Sequence, residues 1–318
     1  MNYIQQAYKG KNEWYHWLFT IVIVFFGWQV LGILPLVMAA LAKSESTAQF
    51  AEFAKDNFMT AGLDKNFLLF LMLIMFLAGL LFLFIGVKYI HQRSFTSLVT
   101  SRVKIDWKRF FYGFFIWGIL AIGMTYASIL LAPENFTWNF NAIPFFILVA
   151  ISFIFIPFQT SFEELLFRGY FMQGIGVLVK NRWVPLLVTS IVFGLLHGTN
   201  PEVAKLGQIT MVYYIGTGLF FGIVTLMDEG TEIALGLHAI NNITAAFFVT
   251  TDWTVFQTDA LYIDTSEPSV SWEMFLPVFI LYPIMLFLFS KKYGWTNWKE
   301  KLTGKITMPE SLKESTEV

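Results

Sequence analysis

Eight apolar runs dominate this chain, and most of them reach the length of about 20 residues that a helix needs to cross a bilayer. They cover approximately residues 17–42, 67–90, 110–131, 143–166, 183–198, 206–227, 232–250 and 273–290, of which the fifth is short. Hydrophobic residues make up 56% of the sequence and charged residues only 14%, which is too apolar for a soluble domain of 318 residues. The sequence therefore predicts an all-α polytopic membrane protein with about eight transmembrane helices.

The lysines and arginines are distributed unevenly between the two sets of loops that these spans define. Of the 21 lysines and arginines, 17 fall on the side that holds both chain termini and 4 fall on the other side. Positive charge accumulates in cytoplasmic loops. We therefore expect a multi-pass integral membrane protein with a cytoplasmic N-terminus and a cytoplasmic C-terminus, in the plasma membrane if the source is a prokaryote.

Charge and cysteine content exclude several classes of protein. The net charge of −1 gives no basic field to attract a polyanion, so nucleic acid is not an expected partner. The sequence has no cysteine, which excludes a disulfide framework, cysteine-ligated zinc and a cysteine nucleophile.

The segment SFEELLFRGYFM, residues 161–172, places three charged side chains in an apolar run. A charge at the bilayer centre costs at least about 2.5–3.5 kcal/mol, so such a group indicates a functional site. Glu164 and Arg168 are four residues apart, which puts them on one helix face as an ion pair, while Glu163 points about 100° away and stays free. The structural alternative is that all three lie at the cytoplasmic interface, with the arginine extended to the lipid headgroups.

Two of the four histidines lie inside apolar runs, each with a partner one turn away. His197 follows Phe193 by four residues, and Asn242 follows His238 by four residues. A lone intramembrane histidine is more often a packing or hydrogen-bonding residue than a catalyst. Two such histidines, together with a glutamate and an asparagine on separate helices, favour a site.

Three short motifs carry a resemblance to a known family. EELLFR (163–168) fits the pattern EExxxR, FGLLH (193–197) fits FxxxH, and HAINN (238–242) fits HxxxN. In this order on membrane segments, they resemble the CAAX-processing and bacteriocin-processing (CPBP, or Abi) family of intramembrane proteases, which includes the type II CAAX prenyl endopeptidases. The similarity covers about residues 150–250 and implies an intramembrane endopeptidase.

The chemistry of peptide-bond hydrolysis gives each motif residue a role. A carboxylate withdrawn from water is a competent general base near neutral pH, so Glu163 can activate a water molecule that His197 shares or orients. An imidazole N–H of His238 and the side-chain amide of Asn242 can then stabilise the oxyanion. The resemblance implies the same assignment, with three supporting residues, Glu164, Arg168 and Phe193.

A metal site is the alternative use of the same groups. Glu163, His197 and His238 together are a known type of zinc ligand set. A ligating histidine normally has a carboxylate or carbonyl that holds its other nitrogen, yet neither histidine has a carboxylate one turn away, and Arg168 already pairs with Glu164. We therefore expect that no metal is required, with zinc as the alternative.

The expected partners are the lipid bilayer and a peptide or protein substrate, either lipid-modified or unmodified. A different class of function is a non-catalytic membrane immunity or adaptor protein that retains the protease fold. A transporter fits less well, because discontinuous helices and symmetric halves are not evident. The complete set of motif residues favours the enzyme.

No linker or repeat divides the chain, so we expect a single membrane domain over residues 1–318. Within it, residues 1–142 are predicted to be supporting helices and residues 143–250 the catalytic core. Residues 251–318 are predicted to be the last helix and a charged C-terminal tail.

The course of the chain after Glu163 has two possible forms. If the helix continues to Lys180, Glu163 lies about 25 Å from that flank at 1.5 Å per residue. If the helix stops near Gly169, with the following residues along the interface, Glu163 is shallow. Pro157 is the expected place for a kink or for a new helix to begin.

Overall fold

Helices make up most of the structure, as a membrane requires, because a helix bonds its backbone N–H and C=O groups within one segment. The computed structural model describes residues 1–313, and residues 314–318 of the predicted tail lie outside the described residues. The α-helices are α1 (Trp14–Phe25), α2 (Leu34–Lys43), α3 (Thr47–Lys55), α4 (Lys65–Ile85), α5 (Thr96–Val99), α6 (Trp107–Leu131), α7 (Ala142–Glu164), α8 (Met172–Val179), α9 (Trp183–Leu196), α10 (Pro201–Leu206), α11 (Met211–Asp228), α12 (Glu232–Phe247), α13 (Tyr282–Tyr293), α14 (Trp298–Thr303) and α15 (Glu310–Lys313).

Shorter elements connect or extend these helices. The 3₁₀ turns are Ile4–Lys9, Pro133–Asn135, His197–Thr199, Gln208–Thr210 and Trp272–Met274, and the π-helical turns are Phe26–Leu31, Gly86–Ile90, Leu165–Phe171 and Pro277–Leu281. A small sheet has the order β1 (Phe136–Trp138), β3 (Tyr262–Asp264), β2 (Val249–Thr250). β1 is antiparallel to β3, with Phe136 opposite Asp264, and β2 is parallel to β3, so the sheet joins two connections between helices.

Helices lie at all eight predicted spans. Within residues 1–313, six helical segments are long and apolar enough to cross a membrane: Trp14–Lys43, Lys65–Ile90, Trp107–Leu131, Ala142–Val179, Gln208–Asp228 and Trp272–Tyr293. The other two predicted spans are the shorter apolar helix Trp183–Thr199 and α12, which has 16 residues. The all-α polytopic membrane class is therefore confirmed.

The helix that carries EELLFR continues far beyond the motif. α7, the π-helical turn Leu165–Phe171 and α8 form one helical segment of 38 residues that ends before Lys180, whose φ of 56° is left-handed. Of the two predicted courses, the helix that continues to Lys180 is the observed one. No new helix begins at Pro157, which lies inside α7. The π turn follows the two glutamates directly, and π turns inside α-helices occur frequently at functional sites.

α12 lies in the interior of the bundle, where 12 of its 16 residues are buried. Its close approach to α6 depends on Gly236, because a Cβ atom at this position would lie 2.1 Å from the carbonyl oxygen of Phe110. α12 also packs against α7 and α11. The HAINN motif is thus held on a helix that neighbours enclose on several sides.

The two terminal segments meet at one end of the bundle. The Gln5 side-chain amide donates to the carbonyl oxygen of Thr307 at 2.8 Å, and the Ile306 N–H donates to the carbonyl of Lys180 at 2.9 Å. The segments around Gln5 and Thr307 therefore lie on the same side, as an even number of crossings between them requires. The cytoplasmic assignment of that side stays a prediction.

Candidate active site

The three motifs come together where α7, α9 and α12 meet. Glu163 and Glu164 end α7, Arg168 lies in the π turn that follows, and His197 begins the 3₁₀ turn after α9. His238 lies in the middle of α12. Residues separated by up to 79 positions in sequence thus form one site.

Glu164 and Arg168 form the predicted ion pair. The Arg168 Nη1 donates to Glu164 Oε1 at 3.0 Å, and both side chains are fully buried. The Arg168 Nη2 donates to the carbonyl oxygen of Gly218 on α11 at 3.2 Å. Because the guanidinium is enclosed by protein, the alternative in which Arg168 extends to lipid headgroups is wrong.

Phe193 supports the arginine from α9. The Arg168 guanidinium lies 4.1 Å from the centre of the Phe193 ring, and the Phe221 ring lies 5.5 Å from the same group. A cation over an aromatic face is attracted by the ring quadrupole, most strongly where water is excluded. Phe193 also contacts the His197 ring, with 4.7 Å between ring centres. It therefore links the buried ion pair to the second motif.

His238 lies between the two glutamates. Its Nδ1 is 2.9 Å from Glu164 Oε1, and because a carboxylate only accepts, Nδ1 carries the proton of this hydrogen bond. Its Nε2 is 3.7 Å from Glu163 Oε2. Glu164 thus fixes the orientation of the imidazole ring, and the other nitrogen of the ring faces Glu163.

Glu163 differs from Glu164 in its access to the site. Its Oε1 accepts a hydrogen bond of 2.6 Å from Gln159 Nε2. Its Oε2, like Glu164 Oε2, is buried and has no hydrogen-bond partner among the residues that the structure describes, and the two carboxylates differ instead in exposure. The Glu163 side chain keeps 14% exposure while Glu164 keeps none. Of the two carboxylates, only Glu163 is thus open to a substrate or to water.

Gln159 is a site residue that the sequence interpretation missed. Besides its bond to Glu163, its Oε1 accepts a hydrogen bond from Asn242 Nδ2 at 3.1 Å, which ties α7 to α12. The signal was its position four residues before Glu163, on the same helix face. A neutral amide in an apolar run carries less weight than a charge, so this spacing alone did not identify it.

Asn242 belongs to a chain of side-chain amides. Its Oδ1 accepts from Asn241 Nδ2 at 3.1 Å, and Asn241 Oδ1 accepts from Trp117 Nε1 at 3.1 Å. One Nδ2 hydrogen of Asn242 is used by Gln159, so its amide has one further hydrogen to donate. The structure therefore brings Asn242 to Glu163 through Gln159.

His197 is held in one tautomer. Its Nδ1 is 2.7 Å from the carbonyl oxygen of Phe193, which only accepts, so Nδ1 carries the proton and Nε2 is a free acceptor. The ring stacks on Tyr214 of α11, with 4.5 Å between ring centres and 24° between planes. The half-buried His197 is thus fixed both in tautomer and in position.

Glu163 and His197 line one cavity of about 140 Å³. The other lining residues are mostly apolar: Trp28, Phe76, Phe162, Leu166, Phe167, Phe193, Leu196 and Asn200. Among the described residues, His238 and Asn242 do not line it. The cavity therefore presents one carboxylate and one imidazole in apolar surroundings.

The donor groups do not form a complete zinc site. The distance of 3.7 Å between His238 Nε2 and Glu163 Oε2 is close to what two ligands of one ion need. A zinc site uses three or four protein ligands. Within residues 1–313, however, no three histidine, cysteine, aspartate or glutamate side chains converge on one metal position.

Glu164 was expected to pair with Arg168 alone and to be unavailable to a histidine, which is wrong. The same carboxylate oxygen, Oε1, accepts from both Arg168 and His238. His197 likewise has the Phe193 carbonyl on its Nδ1. Both histidines thus have the outer partner that a ligating histidine normally has. What still speaks against a zinc site is geometric: no third ligand converges with Glu163 and His238 among residues 1–313.

Comparison with protein families agrees with the motifs. Residues 141–244 match the family described as Type II CAAX prenyl endopeptidase Rce1-like. This stretch contains all three motifs. The stretch is therefore similar to an Rce1-like domain, which confirms the predicted resemblance to the CPBP protease family. The match implies a protease with a peptide or protein substrate in a membrane environment.

The chain is also similar to the uncharacterized protein YyaK of Bacillus subtilis (strain 168). The two are 29% identical over 288 residues, which are 87% of this chain and 92% of that protein. This similarity extends beyond the Rce1-like domain into the flanking helices. No solved structure matches the chain significantly.

Proposed function

We propose that this chain is an intramembrane endopeptidase that hydrolyses a peptide bond in a membrane-associated protein or peptide, with Glu163 as the general base. One observation carries the proposal. Glu163 lines the same apolar cavity as His197 and keeps one carboxylate oxygen without a hydrogen-bond partner among the described residues. Glu164, fully buried and bonded to Arg168 and His238, is a supporting residue.

Water activation follows from the two groups that line the cavity. A water molecule donates one hydrogen to Glu163 Oε2 and the other to the free Nε2 of His197. Glu163 removes a proton as the water oxygen attacks the carbonyl carbon of the scissile bond. The proton then passes to the nitrogen of the leaving amine as the carbon–nitrogen bond breaks. Gln159 favours Oε2 as the proton acceptor, because its amide occupies Oε1.

His238 and Asn242 are the proposed oxyanion donors. With Nδ1–H bonded to Glu164, His238 turns Nε2 toward Glu163, and Nε2 becomes a donor to the oxyanion once it has taken up the proton that the attacking water gives to Glu163. The remaining amide hydrogen of Asn242 is the second donor. Fixed donors in a water-poor site stabilise such a charge more than they would in water. The support for this role is that α12 holds both donors near Glu163, His238 directly and Asn242 through Gln159, although neither lines the cavity itself.

Water activation without a metal is part of the proposal. The support is that Glu163 and His238 approach each other while no third ligand converges with them among the described residues. The site would then depend on the basicity of a carboxylate in apolar surroundings. The zinc alternative would use Glu163, His197 and His238.

A lipid-modified peptide is the substrate class that the name of the matched family suggests. The alternative is a non-catalytic immunity or adaptor protein. The presence of all three groups, the Glu163 carboxylate and the imidazoles of His197 and His238, argues against it. Such a binding protein needs none of these groups in these positions.

The test is a cleavage assay of the full chain, purified in detergent, against fluorogenic peptides with and without a C-terminal prenyl group. We expect cleavage of some peptides by the wild type and none by Glu163→Gln, with the same thermal unfolding temperature. Glu134→Gln, on the connection after α6, is the matched control and should stay active. A folded wild type that cleaves no peptide would support the non-catalytic alternative.

A further inference from the structure

Trp28 lines the cavity of the proposed active site, although it belongs to the first span and precedes the matched residues 141–244 by more than 100 positions in the sequence. It is part of the π-helical turn Phe26–Leu31 and lines the cavity together with Glu163 and His197. The motifs of the sequence lie at residues 163–242 and gave no reason to consider this residue. The structure thus brings a residue of the supporting helices to the candidate catalytic groups.

The Trp28 ring is held in place on two sides. Its centre lies 5.7 Å from that of Phe76 and 5.2 Å from that of Phe162. The turn that carries it packs closely on α4, because a Cβ atom at Gly27 would lie 2.2 Å from the Phe82 ring. π turns recur at functional sites because the extra residue redirects side chains. The indole is therefore a fixed wall of the cavity.

The indole nitrogen of Trp28 has an unused hydrogen. Its Nε1 is buried and has no hydrogen-bond acceptor within the described part of the chain. Trp253 Nε1 also lacks a partner there, but Trp253 does not line this cavity, whereas Trp17 Nε1 donates to the Asn12 carbonyl at 3.2 Å and Trp295 Nε1 to Asp228 at 3.1 Å. Buried indole N–H groups usually have a partner, because an unpaired one costs free energy. A donor without a protein partner, on a residue that lines the same cavity as Glu163, fits a ligand acceptor.

We propose that Trp28 is a substrate-binding residue that donates from Nε1 to a peptide carbonyl oxygen next to the scissile bond. Its ring, with Phe76 and Phe162, forms the wall of a subsite for one apolar side chain of that peptide. The cavity volume of about 140 Å³ fits this size. An apolar cavity of about 150 Å³ holds a benzene-sized group, whereas drug-sized ligands need about 300 Å³ or more.

This assignment rests on the proposed peptidase function and defines its substrate class further. The preferred peptide carries leucine, methionine or phenylalanine beside the cleaved bond. A charged side chain at this position would leave its charge unpaired against aromatic rings. We therefore expect strong selection at this one peptide position.

The test measures the kinetics of full-length Trp28→Phe on a peptide series that varies the residue on each side of the scissile bond. Trp28→Phe keeps an aromatic ring at this position and removes the N–H, so KM should rise about fivefold to tenfold while kcat stays within about twofold. Trp28→Ala should reduce the preference for leucine over glycine at the selected position about tenfold. Trp14→Phe, which replaces a 66% exposed tryptophan of the same span, should change neither value.

The possible outcomes separate the two proposals. An unchanged KM for Trp28→Phe on a peptide that the wild type cleaves would overturn the role of Trp28 and leave the peptidase function standing. A fall in kcat with an unchanged KM would also overturn it, because a general structural defect gives that pattern. If the wild type cleaves no peptide of the series, both proposals fail together.

Discussion

Replacing Glu164 with glutamine should destabilise the protein more than any other single loss of a carboxylate at the site. The carboxylate accepts from Arg168 at 3.0 Å and from His238 at 2.9 Å, and both charged partners of the ion pair are fully buried. Glutamine has nearly the same shape but no charge. The substitution therefore leaves the Arg168 guanidinium as an uncompensated charge in the interior.

The expected magnitude follows from this burial. Removing one partner of a buried ion pair costs about 3–5 kcal/mol, because the remaining charge has lost both water and its counter-ion. Folded proteins are stable by only about 5–15 kcal/mol, so Glu164→Gln should lose a large fraction of the free energy of unfolding. Removal of the arginine as well should restore part of this loss, which makes Glu164→Gln/Arg168→Met more stable than Glu164→Gln alone.

The assay is unfolding in mixed micelles of increasing SDS content, followed by circular dichroism, for the wild type and these variants. Glu52→Gln is the matched control, because Glu52 pairs with Lys55 at 2.6 Å on a surface where both side chains are about two-thirds exposed. It should unfold almost as the wild type does. If Glu164→Gln is as stable as the wild type, or if the double variant is less stable than the single one, the assignment of the buried ion pair is refuted.

Three further predictions concern Asn242 and Gln159 at the site and the buried His91, which hydrogen-bonds with the Lys11 carbonyl and the Tyr170 hydroxyl. Asn242→Ala should lower kcat by about 10²–10³-fold with little change in KM in the peptide assay, and an unchanged rate would remove Asn242 from the oxyanion site. Gln159→Leu frees Glu163 Oε1, so kcat should fall by about tenfold, whereas an unchanged kcat would show that Gln159 does not position Glu163. Burial lowers the pKa of His91 from 6.5 to about 4, so the unfolded chain binds more protons within this window and stability should fall as the pH is lowered from 6.5 to 4. The thermal unfolding temperature of His91→Asn should depend less on pH over that range than that of the wild type. An equal dependence on pH in both proteins would contradict the lowered pKa of His91.

Contacts within one helix were predictable from the sequence, and contacts between helices were mostly not. The spacing of four residues was enough for the pair Glu164 and Arg168, because helical geometry fixes it. The second bond of Glu164, to His238, depends on how α7 and α12 pack. The same reason accounts for Gln159, which reaches Asn242 across the same interface.

The positions of the helices followed from the apolar runs, but their continuity did not. Pro157 is a usual place for a helix to end or kink, yet α7 continues through it and the π turn after Glu164 extends the helix to Val179. In an apolar setting the unbonded backbone groups of a broken helix cost more than in water, which favours continuation. Trp28 lies outside every motif and could not be predicted as a site residue. Only the packing of the first span on α4 and α7 brings it to the cavity.

The most direct test of glutamate-based water activation is the peptide cleavage rate of a purified preparation whose zinc content is measured before and after treatment with a chelator. The account predicts cleavage by protein that contains far less than one zinc per chain, and a rate that the chelator does not change. Activity that disappears on chelation and returns with about one zinc per chain would contradict it and would make Glu163, His197 and His238 metal ligands.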